Sequence, residues 1–227
     1  MSAYFVTATG TDLGKTFVTT GLVAALKRRG RAVEALKPVA SGYDAAAAES
    51  SDPGLLLAAL GRDLSEENLA AISPWRFKAG LSPDMAATRE GRIIDFSALV
   101  AFTAEAIARR EGTLFIEGVG GIMVPLTTDH TTLDWMMAVK APLVLVAGSY
   151  LGAISHTLSA ADVVVRRGLR IAALVVNESV ASAVRLNEAA QRIERYVNAP
   201  IVCIPRDPLA DHPAFDRLAD ALLPERA

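Results

Sequence analysis

The residues best suited to chemistry lie near the start of the chain, in a loop with the spacing Gly10-x-x-x-Gly14-Lys15-Thr16. An apolar run, Tyr4–Val6, precedes the loop, and a helical pattern follows it. In such a loop, backbone N–H groups curl around an anion and the helix N-terminus adds partial positive charge. Lys15 can reach the β- and γ-phosphates of a nucleotide, and the Thr16 hydroxyl can ligate Mg²⁺. The pattern therefore predicts a phosphate-binding loop.

The loop differs from the common form of this motif. The usual pattern has a glycine five residues before the Gly-Lys pair, and Thr9 stands at that position here. This spacing indicates a deviant phosphate-loop NTPase. Contacts to ATP are expected from the consecutive loop residues Asp12, Leu13, Gly14, Lys15, Thr16 and Phe17.

A second cation follows the next predicted strand, in Lys37-Pro38-Val39-Ala40-Ser41-Gly42. A lysine at a buried strand end is costly unless it is paired with an anion. Lys37 lies beside the phosphate loop if the two strands are neighbours. We therefore expect Lys37 and Lys15 to bind anionic groups together.

An acidic residue, Glu117, ends a third apolar strand and is followed by Gly118-Val119-Gly120. In a chain with a phosphate loop, this carboxylate is expected to hold Mg²⁺ or its water, and the glycines allow the backbone to approach a ligand. Asp52 could supply a further oxygen ligand, so Thr16, Asp52 and Glu117 form the predicted metal set. Asp44 competes with Asp52, and the sequence does not separate the two.

Polar groups also follow the later strands. The helix that begins near Gly152 has free N–H groups, so Gly152, Ala153, Ile154 and Ser155 could form a second anion site. Asn177 ends the fifth strand, and its amide could pair with a purine edge. The sixth strand ends at Ile204.

Strands alternate with helices along most of the chain. Several strands are continuous apolar runs, as in Leu143–Ala147, which is typical of parallel sheets that are covered on both faces. The pattern predicts one doubly wound α/β domain over residues 1–227, with a mostly parallel sheet and helices on both faces. The predicted strands are Ala3–Thr7, Ala32–Val39, Thr113–Glu117, Pro142–Ala147, Arg170–Val176 and Pro200–Ile204. The predicted helices are Thr16–Arg29, Phe96–Arg110, Gly152–Arg167, Ala183–Tyr196 and Phe215–Leu222. Residues 40–95 interrupt the alternation, and we interpret them as an inserted loop and helical segment over the sheet edge.

Composition narrows the class of protein. The net charge is −2 and no long basic run is present, so we expect no nucleic-acid surface. Cys203 is the single cysteine, and no signal peptide is visible, so a cytoplasmic setting is expected. Residues 141–161 carry no permanent charge, but Pro142 and two glycines interrupt them. We interpret this segment as a buried strand and a packed helix rather than a membrane span.

Taken together, six motifs resemble the dethiobiotin synthetase family. The match as a whole runs in order from about residue 3 to residue 205, and the set of motifs is far more specific than the phosphate loop alone. The six are the phosphate loop, Lys37-Pro-Val-Ala-Ser41-Gly, Ser82-Pro83, Glu117-Gly-x-Gly-Gly121, Leu133-Asp134-Trp135 and Leu151-Gly-x-Ile-x-His156.

The resemblance implies a MgATP-dependent ring closure. The substrates would be 7,8-diaminopelargonate (7,8-diaminononanoate), CO₂ and ATP, and the products dethiobiotin, ADP and phosphate. One amine would form a carbamate, the carbamate oxygen would take the γ-phosphoryl group, and the second amine would attack the resulting carbamic–phosphoric anhydride. The absence of an evident nucleophile is no objection, because phosphoryl transfer depends mainly on positioning and charge stabilisation.

The resemblance also implies residue roles. Lys37, Lys15, Thr11 and Ser41 would be catalytic, and Ser41 and Lys37 would also bind substrate. Asn177, Glu178, Pro205, Arg206 and Asp207 would contact the adenine side of the nucleotide. The family is a homodimer in which the partner subunit binds the substrate carboxylate, and the stretch Gly152–Ser155 matches that part.

The chain departs from the family pattern at several positions. The family loop commonly reads Thr-Gly-Thr-Asp-Thr-Glu-Val-Gly-Lys-Thr, and Ala8, Gly10 and Asp12 differ from it. Asp84 replaces a histidine that many members have after Ser-Pro, and Ser155 replaces an asparagine found in some. Asp12 is one methylene shorter than glutamate, so its contacts are expected to lengthen or to pass through water.

Two other classes share parts of this pattern. Switch ATPases of the partitioning or cell-division-site type share the deviant loop, but they carry an extra lysine in a Lys-Gly-Gly pattern where this chain has Thr7-Ala8-Thr9. Amide-forming ligases of the cobyrinate type need a glutaminase domain with a cysteine nucleophile. A chain of 227 residues with Cys203 in a strand leaves no room for one.

Overall fold

Six parallel strands form the central sheet of the molecule. The computed structural model describes residues 2–180, 182, 184–206 and 211–223. The sheet strands are β1 (Ser2–Ala8), β2 (Val33–Leu36), β5 (Thr113–Glu117), β6 (Leu143–Ala147), β7 (Ile171–Asn177) and β8 (Ile201–Ile204). Two further short strands, β3 (Val39–Ser41) and β4 (Trp75–Phe77), pair in parallel as a separate sheet. The six-stranded sheet has the order β2-β5-β1-β6-β7-β8.

Helices connect and cover the strands. They are α1 (Lys15–Arg28), α2 (Asp52–Leu60), α3 (Glu66–Ile72), α4 (Pro83–Arg89), α5 (Phe96–Arg109), α6 (Thr132–Val139), α7 (Ala153–Arg166), α8 (Leu186–Glu194) and α9 (Pro213–Leu222). Helix α1 packs against α2 and α9, while α5 packs against α6 and α7 against α8. This is the predicted single-domain α/β fold, which is confirmed.

Strand β1 lies in the middle of the sheet between β5 and β6, and its apolar run explains that position. Phe5 and Val6 are fully buried. The ring of Phe5 meets Trp135 of α6 edge to face, with centroids 4.7 Å apart. Because parallel strands end at the same edge, the central position of β1 brings the loop that follows it between the ends of its two neighbours.

The motif around Trp135 has a structural explanation. Thr131 caps α6 by accepting from the backbone N–H of Asp134, and the Asp134 carboxylate accepts from the N–H of Thr131 in return. These reciprocal bonds form a capping box, which holds the pKa of Asp134 below its usual range. The motif thus starts a helix whose tryptophan fills the core.

The second predicted strand, Ala32–Val39, is longer than the observed β2. The structure divides it into β2 and β3 at Lys37-Pro38, where Pro38 has no N–H for a ladder and the Lys37 N–H donates to Ile72 O. Helix α6 and the strands β3 and β4 were not predicted, and residues 40–95 contain three α-helices, α2 to α4. The predicted helix Ala183–Tyr196 is shorter, Leu186–Glu194, and Ala183 lies outside the described residues.

The uncharged segment at 141–161 divides into β6 and the first half of α7, as expected. Within the described part of the chain, the helices lack the length and hydropathy that crossing a membrane requires.

Candidate nucleotide and metal site

The phosphate loop connects β1 to α1 and has the backbone of an anion cradle. Gly14 precedes α1 with a φ of 85°, and Asp12 has a φ of 56°. A Cβ at Gly14 would lie 2.6 Å from the Asn177 side-chain nitrogen, so only glycine fits that position without displacing Asn177. The loop therefore depends on glycine both for its backbone conformation and for its contact with the end of β7.

A cavity of about 650 Å³ opens beside this loop. It brings together most of the catalytic and metal-binding residues predicted from the sequence. The predicted residues on its wall are Thr11, Asp12, Gly14, Lys15, Thr16, Phe17, Lys37, Ser41, Asp52, Val119 and Gly120. We call this space the first cavity.

Lys37 projects into a cluster of acceptors at the base of the first cavity. Its Nζ lies 2.6 Å from Glu117 Oε1 and 2.7 Å from Asp52 Oδ2, and it donates to Gly118 O at 3.0 Å. Lys37 is 2% exposed and Glu117 is fully buried. Burial alone would lower the pKa of Lys37, but the charges of Glu117 and Asp52 outweigh it and raise that pKa. The amine is therefore a fixed cation.

Thr16 lies against the same two carboxylates. Its Oγ1 is 2.7 Å from Asp52 Oδ1 and 2.6 Å from Glu117 Oε1, and its one proton can serve only one of them at a time. Burial opposes ionisation of Asp52, but Lys37 and the Thr16 hydroxyl outweigh that effect and lower its pKa. Asp44 instead caps a short 3₁₀ helix by accepting from the N–H of Ala46. The geometry thus places Asp52, and not Asp44, beside Thr16.

This oxygen set fits Mg²⁺. A hydroxyl and two carboxylates are hard oxygen ligands, which suit a cation that keeps several waters. Glu117 Oε2 is buried and has no hydrogen-bond partner among the described residues, so one carboxylate oxygen remains free for a metal. The set has only two carboxylates. Among the described residues, no group of three or more His, Cys, Asp or Glu side chains is arranged to hold a metal ion. A metal here would therefore complete its coordination with ligands such as phosphate oxygens and water.

Lys15 is the second cation of the first cavity. It is 7% exposed, and burial together with the nearby charge of Lys37 lowers the pKa of Lys15 from 10.5 to about 8. The carboxylates of the cluster raise that pKa but do not offset the burial. An added anion such as a phosphate would favour the protonated form.

A second cavity, of about 460 Å³, lies on the other side of the loop. Asp12, Gly14 and Phe17 line both cavities, so the loop separates them. The other predicted residues on its wall are Leu13, Asn177, Glu178, Pro205 and Arg206.

Asn177 connects the second cavity to the phosphate loop. Its Nδ2 donates to Leu13 O at 2.7 Å. Its Oδ1 is buried and has no partner among the described residues, which leaves one acceptor for a ligand. Nearby, the Glu178 carboxylate accepts from the backbone N–H of Arg206 at 2.9 Å and so joins the ends of β7 and β8.

Some predicted residues lie apart from these cavities. Gly152, Ala153, Ile154 and Ser155 start α7, where Gly152 has a φ of 93°, but they line neither cavity of this chain. Gly118 contributes only its carbonyl to Lys37. Asp207 lies outside the described residues.

Several wall residues were missed from the sequence. In the first cavity these are Leu55, Gly80, Leu81 and Val124, and in the second they are Gly148, Tyr150, Ser179 and Val180. Leu55 and Val124 are apolar and carry no signal of a site. Gly148 and Tyr150 stand directly after a predicted strand, in the stretch that leads to the expected anion site at Gly152–Ser155, but no contact to the nucleotide was expected from them.

Asp84, one of the departures noted above, lies just past the first cavity. Ser82 and Pro83 line that cavity, whereas Asp84 lines a separate one of about 410 Å³. Asp84 Oδ1 is buried without a partner among the described residues. Asp84 therefore does not contribute to the wall of the first cavity.

Known structures share this fold at low sequence identity. The cell division ATPase MinD of Pyrococcus furiosus superposes with a TM-score of 0.56 at 18% identity, covering 98% of both chains. The hydrogenase maturation factor HypB of Archaeoglobus fulgidus has a TM-score of 0.58 at 13% identity, covering 98% of this chain and 88% of its own. Both likenesses bear on the fold alone.

Sequence relatives are much more similar. A family model described as an AAA domain matches residues 2–214. The ATP-dependent dethiobiotin synthetase BioD of Acidiphilium cryptum is 46% identical over 200 residues, which cover 88% of this chain and 90% of the relative. The enzyme of the same name from Methylobacterium nodulans is 44% identical over 211 residues, which cover 91% and 94%. The chain belongs to the ATP-dependent dethiobiotin synthetase family.

Proposed function

We propose that this protein uses ATP and Mg²⁺ to close a cyclic urea on 7,8-diaminononanoate with CO₂, giving dethiobiotin, ADP and phosphate. The family membership supports the overall reaction. The observation that carries the chemistry is that two buried lysines, Lys15 and Lys37, line the first cavity together with Asp52 and Thr16. Glu117 lies buried behind this wall, in contact with Lys37 and Thr16.

The reaction needs two anions to approach each other. A carbamate oxygen must attack the γ-phosphorus of ATP, and both groups are negatively charged. Cations held between them lower that repulsion, and in a dry site their effect is much larger than in water. Lys15 and Lys37 are buried cations beside the loop, and no protein nucleophile is required.

Atoms balance without a covalent enzyme intermediate. One substrate amine adds to CO₂ and loses a proton, giving the carbamate. The carbamate oxygen then takes the γ-phosphoryl group and ADP leaves. The second amine attacks the carbonyl carbon of the carbamic–phosphoric anhydride and loses a proton, and phosphate departs with the oxygen that came from CO₂. Thr11 and Ser41, on the wall of the same cavity, would hydrogen-bond the carbamate or the diamine.

Lys37 has to exchange a partner in order to act. An ammonium has three donors, and here all three have acceptors: Glu117, Asp52 and Gly118 O. Asp52 is the acceptor most easily released, because its side chain is 45% exposed whereas Glu117 is fully buried. We assign Lys37 to the carbamate and Lys15 to the phosphates.

Thr16, Asp52 and Glu117 would hold Mg²⁺, which supplies positive charge to the phosphate oxygens when it is bound. The second cavity would take the adenosine part of ATP. Asn177 Oδ1 is the unpaired acceptor there, and the adenine amino group is a matching donor. The shared wall residues Asp12, Gly14 and Phe17 would then lie along the triphosphate.

We further propose a cytoplasmic homodimer whose substrate site lies at the subunit interface. Residues 152–155 line neither cavity of their own chain. The Ala153 N–H already donates to Tyr150 O, so the remaining N–H groups in the first turn of α7 would bind a carboxylate. In the dimer these residues would bind the carboxylate of the diamine held by the other subunit.

Product analysis tests the proposal. With MgATP, bicarbonate and 7,8-diaminononanoate together, dethiobiotin and phosphate should form in equal amounts. Omission of either the diamine or bicarbonate should stop phosphate release. Comparable ATP hydrolysis without the diamine would overturn the proposal and favour a switch ATPase.

A further inference from the structure

The second cavity has two walls that come from different strands. Gly148 and Tyr150 follow β6, whereas Asn177, Glu178 and Ser179 follow β7. Loops at the ends of neighbouring strands are free to separate unless something joins them, and the width of a cavity between them would then vary.

A reciprocal pair of hydrogen bonds joins these loops. The backbone N–H of Ser149 donates to Ser179 Oγ at 3.0 Å, and the backbone N–H of Ser179 donates to Ser149 Oγ at 2.9 Å. Each serine thus accepts from the main chain of the other. We call this pair the serine clasp.

The surroundings leave the clasp little freedom. Ser149 is 2% exposed, and its carbonyl accepts from Ser182 Oγ at 2.9 Å. A Cβ on Gly148 would lie 2.7 Å from Ser179 Oγ, so a side chain at that position would push the two loops apart. The close approach of the loops therefore depends on glycine at 148 as well as on the two hydroxyls.

The clasp also stands next to the group that connects the cavity to the phosphate loop. Asn177, two residues before Ser179, donates to Leu13 O. Neither serine takes part in that bond, so loss of the clasp hydrogen bonds should leave it in place. The expected consequence is a wider second cavity beside an unchanged phosphate cradle.

We propose that Ser149 and Ser179 are positioning residues that set the width of the second cavity and thereby the affinity for the nucleoside part of the nucleotide. The inference rests on the proposed function only in assigning this cavity to the nucleoside. Neither serine needs to touch the ligand. A buried N–H group that loses its acceptor is costly, so its loop would rearrange to find another one. That rearrangement would change the width of the second cavity.

A comparison of two ligands, one with a nucleoside and one without, distinguishes an effect on the second cavity from a general loss of structure. MgADP and Mg-pyrophosphate carry the same number of phosphates, and only ADP has a nucleoside. Ser179→Ala should weaken MgADP binding by about tenfold, in line with one lost hydrogen bond to a buried donor, and leave Mg-pyrophosphate binding within about twofold. Titration calorimetry on the whole protein gives both dissociation constants.

Two control variants sharpen the comparison. Ser179→Thr keeps a hydroxyl acceptor at a half-buried position, so it should restore most of the MgADP affinity. Ser65→Ala removes a hydroxyl that also accepts a backbone N–H, at the start of α3 and away from both cavities, so it should leave both ligands unaffected. Ser149→Ala provides a second variant from the buried side of the clasp.

The outcomes are distinct. The clasp proposal is overturned if Ser179→Ala binds MgADP like the unaltered protein, or if it weakens both ligands equally. If the unaltered protein binds Mg-pyrophosphate as tightly as MgADP, the second cavity is not the nucleoside site, and the proposal fails with it. These measurements use no diamine and no bicarbonate, so failure of the clasp leaves the ring-closure reaction to be decided by its own product assay.

Discussion

Lys37 Nζ lies 2.6 Å from Glu117 Oε1 in the interior of the protein, and neither side chain has meaningful contact with solvent. The pair joins the residue after β2 to the last residue of β5, and Thr16 of α1 lies beside it. Removal of one partner of such a buried ion pair destabilises the fold, because the other partner is left as an uncompensated buried charge. Substitution of Lys37 or Glu117 is therefore expected to change the stability of the fold as well as the proposed chemistry.

The first prediction concerns that pair. Lys37→Met should abolish dethiobiotin formation and lower the free energy of unfolding by about 3–5 kcal/mol, because Glu117 is left as an uncompensated buried charge. Lys37→Met/Glu117→Gln should recover much of the stability but none of the activity. Urea unfolding and product assays measure the two effects, with exposed Lys78→Met as the control. Normal turnover in Lys37→Met would refute the assignment of Lys37 to the carbamate.

A second prediction separates the two candidate aspartates. Asp52→Asn should raise the Mg²⁺ concentration needed for half-maximal activity by about tenfold or more, because a neutral amide is a weaker ligand for a hard cation. Asp44→Asn should leave that requirement unchanged, since Asp44 only caps a short helix. Magnesium titrations of dethiobiotin formation provide the measurement. Equal Mg²⁺ requirements in the two variants would remove Asp52 from the metal set.

A third prediction concerns the base of the nucleotide. Because Leu13 O requires a donor, Asn177 presents its oxygen to the cavity, and that oxygen should select a base with an exocyclic amino group. We expect ATP to bind about tenfold more tightly than inosine triphosphate, which lacks the amino group. Asn177→Ala should remove most of the difference, and the exposed, distant Asn198→Ala should preserve it. Equal binding of the two nucleotides by the unaltered protein would contradict this role.

The pH dependence of nucleotide binding should reflect Lys15. Its pKa of about 8 means that the amine is protonated below that pH and loses its charge above it. The affinity for ATP should therefore fall as the pH rises above about 8, because the neutral amine no longer attracts the phosphates. Lys15→Arg keeps its charge throughout this range and should bind ATP without the decline. An identical decline in Lys15→Arg would assign the titration to another group.

The sequence predicted the sheet well because its strands are continuous apolar runs, as in Leu143–Ala147, and each is followed by a strong helical or glycine signal. It failed at Lys37-Pro38, where the apolar run continues across a break in the ladder. It also missed α6, whose eight residues include a threonine, an aspartate and a tryptophan and carry little periodicity. Its start is marked by a capping box, Thr131-x-x-Asp134, a spacing that is legible in the sequence but was not used to predict a helix.

The structure brings the predicted site residues together where their chemistry coincided with their position in the fold. Thr16, Lys37 and Glu117 all stand at the ends of strands or the start of a helix, so their convergence follows from the parallel sheet. The choice between Asp44 and Asp52 could not be made, because it depends on how the segment after β3 folds back over α1. Nor could the sequence show that all three N–H groups of the Lys37 ammonium would donate to protein acceptors.

The central claim is that an oxygen of CO₂ passes to phosphate while its carbon becomes the ring carbonyl. The most direct test supplies ¹³C- and ¹⁸O-labelled CO₂ with MgATP and 7,8-diaminononanoate, and follows both products by mass spectrometry over a single turnover, before the label exchanges with water. The account predicts ¹³C in the ureido carbonyl of dethiobiotin and one ¹⁸O in the released phosphate. Phosphate that carries no ¹⁸O, or that is released at the same rate without the diamine, would contradict it.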